Sequence, residues 1–194
     1  MPCLLTKSRA EVCKEFVGGI KSIYFINYND NPTNTPLVPT YSVTAGQEDS
    51  IATITGVTNL YKYDLKGANS FEQTITSSRE NGTTFVEQTL TFTIKGLDAI
   101  ATKQMKLLAW GRPHVVIRTN ANNFFIAGLF NGMDVTTGTI SNGTAMGDLN
   151  GYTMTLVGQE NIPANHLNVA QTLSNPSTDA QLLAVFTGAT IVAY

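Results

Sequence analysis

Few residues in this chain have the types and spacing that catalysis or metal binding requires. The 194 residues include two histidines, His114 and His166, and two cysteines, Cys3 and Cys13. Two imidazoles exclude a metal centre built on several histidines, and neither cysteine has a Cys or His nearby in sequence. Because no secretory signal is recognised, we expect two reduced thiols. His114 follows Pro113 at the start of a strand, where we expect a packed or hydrogen-bonded structural role, and we predict no metal and no cofactor.

The remaining candidates for chemistry are glycines and carboxylates. The glycines at 138, 143 and 147 lack the Gly-Lys-Ser/Thr ending of a phosphate loop. Glu72 and Glu87 could act as paired carboxylates in glycoside hydrolysis, since we expect them to be nearly diagonal neighbours on one face of a hairpin. The threonines around them and the absence of clustered aromatic residues argue against a sugar cleft. We therefore predict that the protein is not an enzyme and assign no catalytic residue.

Both glutamates belong to residues 70–95, SFEQTITSSRENGTTFVEQTLTFTIK, which alternate with the period of a β-strand. One side of the predicted hairpin is largely apolar and comprises Phe71, Gln73, Ile75, Val86, Gln88, Leu90, Phe92 and Ile94. The other side comprises Glu72, Thr74, Thr76, Glu87, Thr89, Thr91 and Thr93. This second face is rich in hydroxyl groups, and the two glutamates are its only charges.

The turn dipeptide Asn81-Gly82 predicts how the two arms pair. A two-residue loop at this dipeptide would place Ile75 opposite Gln88 and Phe71 opposite Phe92. Both apolar sets then lie on the same face, and a slip of one residue would turn one of them outward.

Composition narrows the classes of protein. Charged residues make up 13% of the chain, and the net charge is -2, so the basic surplus of a nucleic-acid-binding protein is missing. Such a weakly charged chain is expected to cover much of its surface with partners.

The distribution of apolar residues and the length of the chain restrict the fold. No apolar run is long enough to span a membrane. The length suits one domain, and the many turns indicate a mainly β fold.

Other segments predict further strands and one helix. Leu97, Ile100, Met105 and Leu108 recur at helical spacing after Asp98, which can cap the helix. We interpret this stripe, with Trp110, as packing against the outside of a sheet. The predicted strands are 20–28, 40–43, 50–55, 59–65, 114–119, 123–129, 133–140 and 151–159. The apolar segment 182–194 is predicted to be a strand that either closes its own sandwich or pairs with a neighbouring subunit.

This layout resembles the tail tube proteins of long-tailed bacteriophages. The segments that resemble those of phages infecting Bacteroidota are CKEFVGGIKSIYFINY, YDLKGANSFEQTITSSRENGTTFVEQTLTFTIKGL, GRPHVVI and TAMGDLNGYTMTLVGQENIPA. The resemblance covers roughly residues 10–165. It implies a tail-tube-like β domain at 1–165 and a C-terminal extension or arm at 166–194.

The family implies a β-sandwich flanked by a helix, assembled into rings of six whose hairpins join in a continuous inner barrel. Stacked rings form a tube that conducts double-stranded DNA without binding it specifically. The implied partners are further copies of the chain and other tail proteins: tape measure, terminator and baseplate. The implied location is the virion tail, after assembly in the cytoplasm of the bacterial host.

On this interpretation the face bearing Glu72, Thr74, Thr76, Glu87, Thr89, Thr91 and Thr93 lines the lumen. A wall without positive charge would not retain a polyanion. Contacts between stacked rings are expected at the hairpin tip and at the loop 29–39, with candidates Arg79, Glu80, Asn81, Gly82, Pro32 and Pro36.

Two other interpretations remain open. Another virion structural protein, such as a capsid decoration protein, tail terminator or baseplate ring subunit, would use a related β fold. A secreted β-sandwich binding module is a further alternative, which the missing signal peptide and scarce aromatic residues disfavour.

Overall fold

The computed structural model describes residues 9, 17–28, 41–44, 47–169 and 178–192. Within these ranges the chain is mainly β, as predicted, with two sheets and two helices. The strands are β1 (Ile20–Ile26), β2 (Tyr41–Thr44), β3 (Gln47–Thr55), β4 (Asn59–Asp64), β5 (Ser70–Ser78), β6 (Thr83–Lys95), β7 (His114–Thr119), β8 (Phe124–Ala127), β9 (Asp134–Ser141), β10 (Gly151–Glu160), β11 (Asn165–Leu167), β12 (Phe186–Thr187) and β13 (Thr190–Val192). The helices are α1 (Ala99–Trp110) and α2 (Asp179–Val185).

The smaller sheet has four strands in the order β5-β6-β10-β9, and every neighbouring pair is antiparallel. The predicted hairpin supplies β5 and β6, and the strands predicted at 133–140 and 151–159 correspond to β9 and β10. Within the described chain, β5 and β9 each have one edge without a partner strand. Unpaired edges of this kind are ready to pair with another chain.

The larger sheet has nine strands, and the C-terminal segment brings its two ends together. Its order is β12-β3-β11-β8-β7-β1-β4-β13, with β2 paired to β3. Thr187 of β12 and Thr190 of β13 lie at opposite ends of this order but are close in sequence, so at most about 11 Å separates them. The sheet therefore curls on itself, and the C-terminal strands fill the gap between β3 and β4.

Two apolar cores follow from this curvature. The first lies within the curl of the nine-stranded sheet, where Tyr24, Ile54 and Phe124 pack with Leu182 and Phe186 of the C-terminal segment. The second lies between the two sheets and contains residues of both, listed here by strand: Ile23 and Phe25 of β1, Val115 and Ile117 of β7, Leu90 and Phe92 of β6, and Tyr152, Met154 and Leu156 of β10. The strand β1 contributes to both cores, because Tyr24 and Ile26 point to one side of it and Ile23 and Phe25 to the other.

The predicted hairpin register is wrong by two residues. Ile75 pairs with Val86, and Phe71 pairs with Leu90, because the loop spans four residues, 79–82, instead of two. A two-residue type I′ turn needs positive φ at both positions, whereas only Gly82 of the pair has it, at 63°. A shift of two residues keeps every side chain on its predicted face.

The prediction of a strand throughout 182–194 is also wrong in part. Residues 179–185 form α2, in which Leu182 and Val185 are buried, and short strands follow at 186–187 and 190–192. Thr178 and Gln181 form a capping box at its start, a local signal for a helix. The described part of the segment pairs with its own chain, through β12 with β3 and β13 with β4.

A cluster of charges fastens α2 to the nine-stranded sheet. The Asp179 carboxylate accepts hydrogen bonds of 2.7 Å from both the Tyr24 hydroxyl and Lys62 Nζ, and Arg118 lies 3.6 Å away. Partial burial alone would raise the pKa of Asp179, but these hydrogen bonds and the two cations outweigh it, so the pKa is lowered.

Buried polar side chains from three strands hold the turn 128–132 between the two sheets. Gln88 accepts from the Gly128 amide at 2.9 Å, and Glu160 accepts from the Phe130 and Asn131 amides at 3.0 and 2.8 Å. The His114 ring hydrogen-bonds the Gly128 carbonyl. The predicted structural role of His114, which is fully buried, is confirmed.

The helix α1 begins where predicted, with Asp98 accepting from the Ala101 amide at 2.7 Å. The interpretation of its apolar stripe as core packing is confirmed for Met105 and for Ala101 and Leu108, which pack against the core between the sheets. It is wrong for Leu97, Ile100 and Trp110, which are exposed. Met105 is the one buried residue of α1, whereas Ile100, Leu107 and Trp110 are exposed. The helix therefore packs on the core between the sheets with one narrow face and contacts β9.

Candidate functional site

The most distinctive surface of the described chain is one side of the four-stranded sheet, which we call the threonine face. Strand pairing places ten threonines from all four strands on it: Thr74, Thr76, Thr83, Thr89, Thr91, Thr93, Thr137, Thr139, Thr153 and Thr155. The five threonines predicted to line a lumen all belong to this set. Where the sequence predicted a surface two strands wide, the structure makes it four strands wide.

Alternation along each strand forces this arrangement. In β6 the residues Val86, Gln88, Leu90 and Phe92 are buried toward the nine-stranded sheet. Successive side chains in a strand point to opposite sides, so Glu87, Thr89, Thr91 and Thr93 lie on the other side and are half-buried. The core therefore fixes the orientation of the threonine face.

Hydroxyl groups on adjacent strands contact each other across the face. Thr91 lies opposite Thr155 and Thr93 opposite Thr153, with oxygen-to-oxygen distances of 3.2 and 3.3 Å. Threonine pairs of this kind stabilise a sheet through branched side chains and hydrogen bonds. The surface that results is flat, short in side-chain length and largely uncharged.

The charges on the threonine face are few and mostly negative. Glu72 and Glu87 lie on it as predicted, and the pairing of Glu72 with Thr89 and of Glu87 with Thr74 makes them diagonal neighbours. The same strand alternation adds Asp134 of β9 and Lys95 at the far end of β6. The face thus carries three carboxylates and one ammonium group. Phe85 and Val157 also lie on it and interrupt the hydroxyl pattern.

The threonines of β9 and β10 alternate in the sequence, but the sequence alone does not place them on this surface. The alternation of Thr153 and Thr155 with Met154 and Leu156 was visible, yet nothing local showed that β10 pairs with β6. That pairing joins two hairpins that are separated along the chain by α1, β7 and β8. The additional threonines were therefore detectable as a pattern but not as a location.

The predicted inter-ring residues fall into two groups. Arg79, Glu80, Asn81 and Gly82 form the exposed tip of the β5–β6 hairpin, and the Asn81 amide donates to Ser78 Oγ at 3.2 Å. Pro32 and Pro36, like Cys3 and Cys13, lie outside the residues that the structure describes.

The turn 142–150 lies at the opposite end of the four-stranded sheet from this hairpin tip. In this turn Asp148 accepts hydrogen bonds from the Ala145 and Thr144 amides, and these bonds lower the pKa of its carboxyl group.

The described part of the chain offers little for catalysis or metal binding. No group of three His, Cys, Asp or Glu residues there could hold a metal ion. His114 is fully buried, stacks on Tyr28 at 5.1 Å between ring centroids and has its pKa lowered by that burial. The buried Glu160 has its pKa raised by desolvation. Both groups hold the turn 128–132 and lie away from the threonine face.

A comparison with known protein families, curated proteins and solved structures finds no match. Among the described residues, no helix is both long and apolar enough to cross a membrane.

Proposed function

We propose that this chain is a structural subunit of a phage tail tube, in which copies join edge to edge and the threonine face lines a bore for double-stranded DNA. The observation that carries the proposal is a nearly uncharged hydroxyl surface on a sheet with two unpaired edges. The four strands alternate in direction, so the edge strands β5 and β9 run in opposite directions. Copies related by rotation about a common axis would then pair β5 with β9 as antiparallel strands.

In a closed barrel, neighbouring strands are displaced along their length. The four-stranded sheet has such a displacement between its two edge strands. Thr74, the middle residue of β5, lies level with Glu87 of β6, whereas Thr137 and Gly138 in the middle of β9 lie level with Thr91 and Phe92. The two edges are therefore offset by four to five residues along the strands. Over four strand spacings this offset corresponds to a strand tilt of about 40°, within the range of roughly 35–45° typical of closed barrels.

The tilt sets the width of the bore for a given number of copies. Rings of six, which the resemblance to tail tube proteins implies, would contain roughly 24 strands and measure about 50 Å between opposite backbones. Subtracting side chains leaves about 40 Å, which is wide enough for a DNA double helix.

The chemistry of the threonine face suits passage of DNA without retention. Each Lys or Arg on such a wall would add a phosphate contact and strengthen binding. The face carries Glu72, Glu87 and Asp134 against the single cation Lys95, so it would weakly repel the phosphates along most of its length. Thr, being short and neutral, offers no strong contact to a moving polyanion.

Stacking of the rings would bring the two ends of the four-stranded sheet into contact between neighbouring rings. The hairpin tip 79–82 and the turn 142–150 lie at opposite ends of the four-stranded sheet, so the tip of one ring would meet the turn of the next. A tube of stacked rings would occupy the virion tail, after assembly in the bacterial cytoplasm. It would contact a tape measure protein inside and terminator and baseplate proteins at its ends.

Electron microscopy of the purified full chain tests the proposal. We expect hollow filaments, and we expect Ile75→Lys to abolish them because this residue of β5, 65% exposed, would place a charge in the interface between copies. Val192→Lys is the matched control, since Val192 is also exposed but lies on the nine-stranded sheet. Closed rings that never stack would favour a terminator or decoration protein, and a monomer at all concentrations would refute the proposal.

A further inference from the structure

The helix α1 carries an apolar stripe that its own subunit does not cover. Ile100, Leu107 and Trp110 are 57%, 53% and 88% exposed. At 100° per residue all three lie within about 40° of the direction opposite Met105, the buried residue of the helix. The stripe therefore points directly away from the core. Lys103 lies on the same side, so the stripe is apolar with one cation.

The contacts of α1 define where this stripe points. Thr102 Oγ1 lies 2.6 Å from the Tyr152 hydroxyl, which belongs to the buried side of β10, and α1 also contacts the edge strand β9. Met105 packs into the core between the sheets. The helix thus lies beside the nine-stranded sheet, over the β9 side of the four-stranded sheet. The exposed stripe of α1 therefore lies on the β9 flank of the molecule, where Leu107 and Trp110 also line a groove with Tyr61 and Tyr63 of β4.

The opposite flank of the molecule has a recess. A groove of about 360 Å³ lies between β5 and the nine-stranded sheet, and Ile20, Phe71, Gln73, Ile117 and Phe125 are among its lining residues. Ile75, on the same side of β5, is 65% exposed. Polar residues, Asn69, Ser70, Glu72 and Thr119 among them, also line this groove. Its apolar part, with Ile75 beside it, lies on the flank opposite the α1 stripe.

We propose that the α1 stripe of one copy seats on the β5 flank of the next, against Phe71 and Ile75. This interface deepens the proposed tube function and rests on it. When β5 pairs with β9 of a neighbour, residues directly opposite share a side of the sheet. The apolar side of β5 then continues the surface on which the neighbour's α1 lies. Edge pairing and helix docking are therefore one interface.

Strand lengths select a register for this pairing. Placing Phe71 opposite Ile140 pairs residues 70–74 with residues 141–137, and within this stretch opposite residues share a side of the sheet. Beyond it, the β-bulge at Thr136 of β9 shifts the register. The same register reproduces the offset of four to five residues that gives the barrel tilt. It also brings Phe71 to Ile140, which is 62% exposed in the single subunit. On the threonine face, Glu72 comes opposite Thr139.

The partner of the α1 stripe is a second copy of this chain in this proposal, because both contacting surfaces, the α1 stripe and the β5 flank, occur on the chain. The two flanks differ, so the contact is heterologous and rotation can close it into a ring. A short ladder between two edge strands is marginal in water on its own, since strands need a packed apolar face for stability. The exposed apolar residues of α1 and β5 supply that face.

Disulfide trapping tests the register. In a Cys3→Ser, Cys13→Ser background, the pair Glu72→Cys and Thr139→Cys should cross-link assembled protein into a ladder of multimers on denaturing gels. The control pair Glu72→Cys and Thr155→Cys places the second cysteine on the central strand β10 and should give no ladder. Cross-linked dimers from Glu72→Cys alone would indicate two-fold pairing of β5 with β5 and would overturn the proposal.

Charge substitutions on the helix test the docking itself. Ile100→Glu and Leu107→Glu should reduce the assembled fraction at a fixed concentration at least tenfold, with circular dichroism and melting temperature unchanged, because both residues are exposed in the subunit. Val192→Glu should assemble normally. Filaments that form equally well with all three substitutions, or without the 72–139 cross-link, would refute this interface while leaving the tube function standing. Failure of the unmodified chain to assemble at all would instead refute the tube function.

Discussion

At the residue scale, the buried polar groups decide how stability depends on pH. Burial lowers the pKa of His114 below its ordinary value, and the hydrogen bond to Gly128 only partly offsets this effect. The unfolded chain therefore binds a proton more readily than the folded chain, and stability falls as pH drops below the unfolded pKa of about 6.5.

We predict that the free energy of unfolding of the unmodified subunit decreases between about pH 6.5 and pH 5, and that His114→Gln removes this decrease. Urea unfolding across this range measures it. The matched control is His166→Gln, because His166 is exposed and its substitution should leave the slope unchanged. A wild-type slope in the His114 variant would contradict the assignment.

The sequence predicted the burial of His114 but could not predict what holds it. Its position after Pro113 at a strand start indicated a structural role. Its partner, the Gly128 carbonyl, lies on a turn whose other hydrogen bonds come from Gln88 and Glu160 on two further strands. Gln88 appeared in the sequence as a polar interruption of an apolar face. Only the packing of one sheet on the other explains that interruption.

At the scale of elements, the C-terminal segment is part of the fold, and Asp179 is its main polar attachment. The Asp179 carboxylate binds Tyr24 and Lys62 at 2.7 Å, and its side chain is about one third exposed. Because its pKa is lowered, its contribution is present above the unfolded pKa of about 3.9 and is lost as pH falls through the folded pKa.

We predict that Asp179→Ala costs about 1–2 kcal/mol at neutral pH, after allowing for solvent screening. Amide hydrogen exchange in β12 and β13 should accelerate before that in β6 and β10. Asp64→Ala is the control: Asp64 also contacts Lys62, at 3.4 Å, but is 72% exposed, so it should cost less than about 0.5 kcal/mol. Equal effects of the two substitutions would contradict the attachment.

The alternation of polar and apolar residues predicted where strands occur better than it predicted which residues pair between strands. The period of two in β5 and β6 assigned each side chain to the correct face, because that assignment tolerates an error of two residues. The turn at 79–82 was predicted too short because Asn81 does not adopt positive φ. The helix α2 was missed because its apolar residues Leu182 and Val185 occur in a run rich in β-forming residues, and burial in the first core stabilises the helical alternative.

At the scale of the whole molecule, the proposed bore depends on the excess of carboxylates over cations on the threonine face, where Glu72, Glu87 and Asp134 lie with Lys95. That excess can be reduced with one substitution on a central strand. Thr91 lies between Ser70 and Thr155, away from the edges that join copies.

We predict that Thr91→Lys filaments assemble but retain duplex DNA, with retention falling steeply as salt is raised. Co-sedimentation of filaments with labelled DNA at several salt concentrations measures this retention. Unmodified filaments should retain little DNA at any of these concentrations. Strong retention by the unmodified filaments would contradict the idea of a passive wall.

The orientation of the threonine face in an assembly is the central claim, and a helical reconstruction of the filaments by cryo-electron microscopy tests it most directly. The account predicts Thr91 and Thr155 facing the axis, with Leu90 and Phe92 directed outward into the subunit core. A reconstruction with the threonine face on the outer surface, or a chain that stays monomeric at every concentration tried, would contradict it.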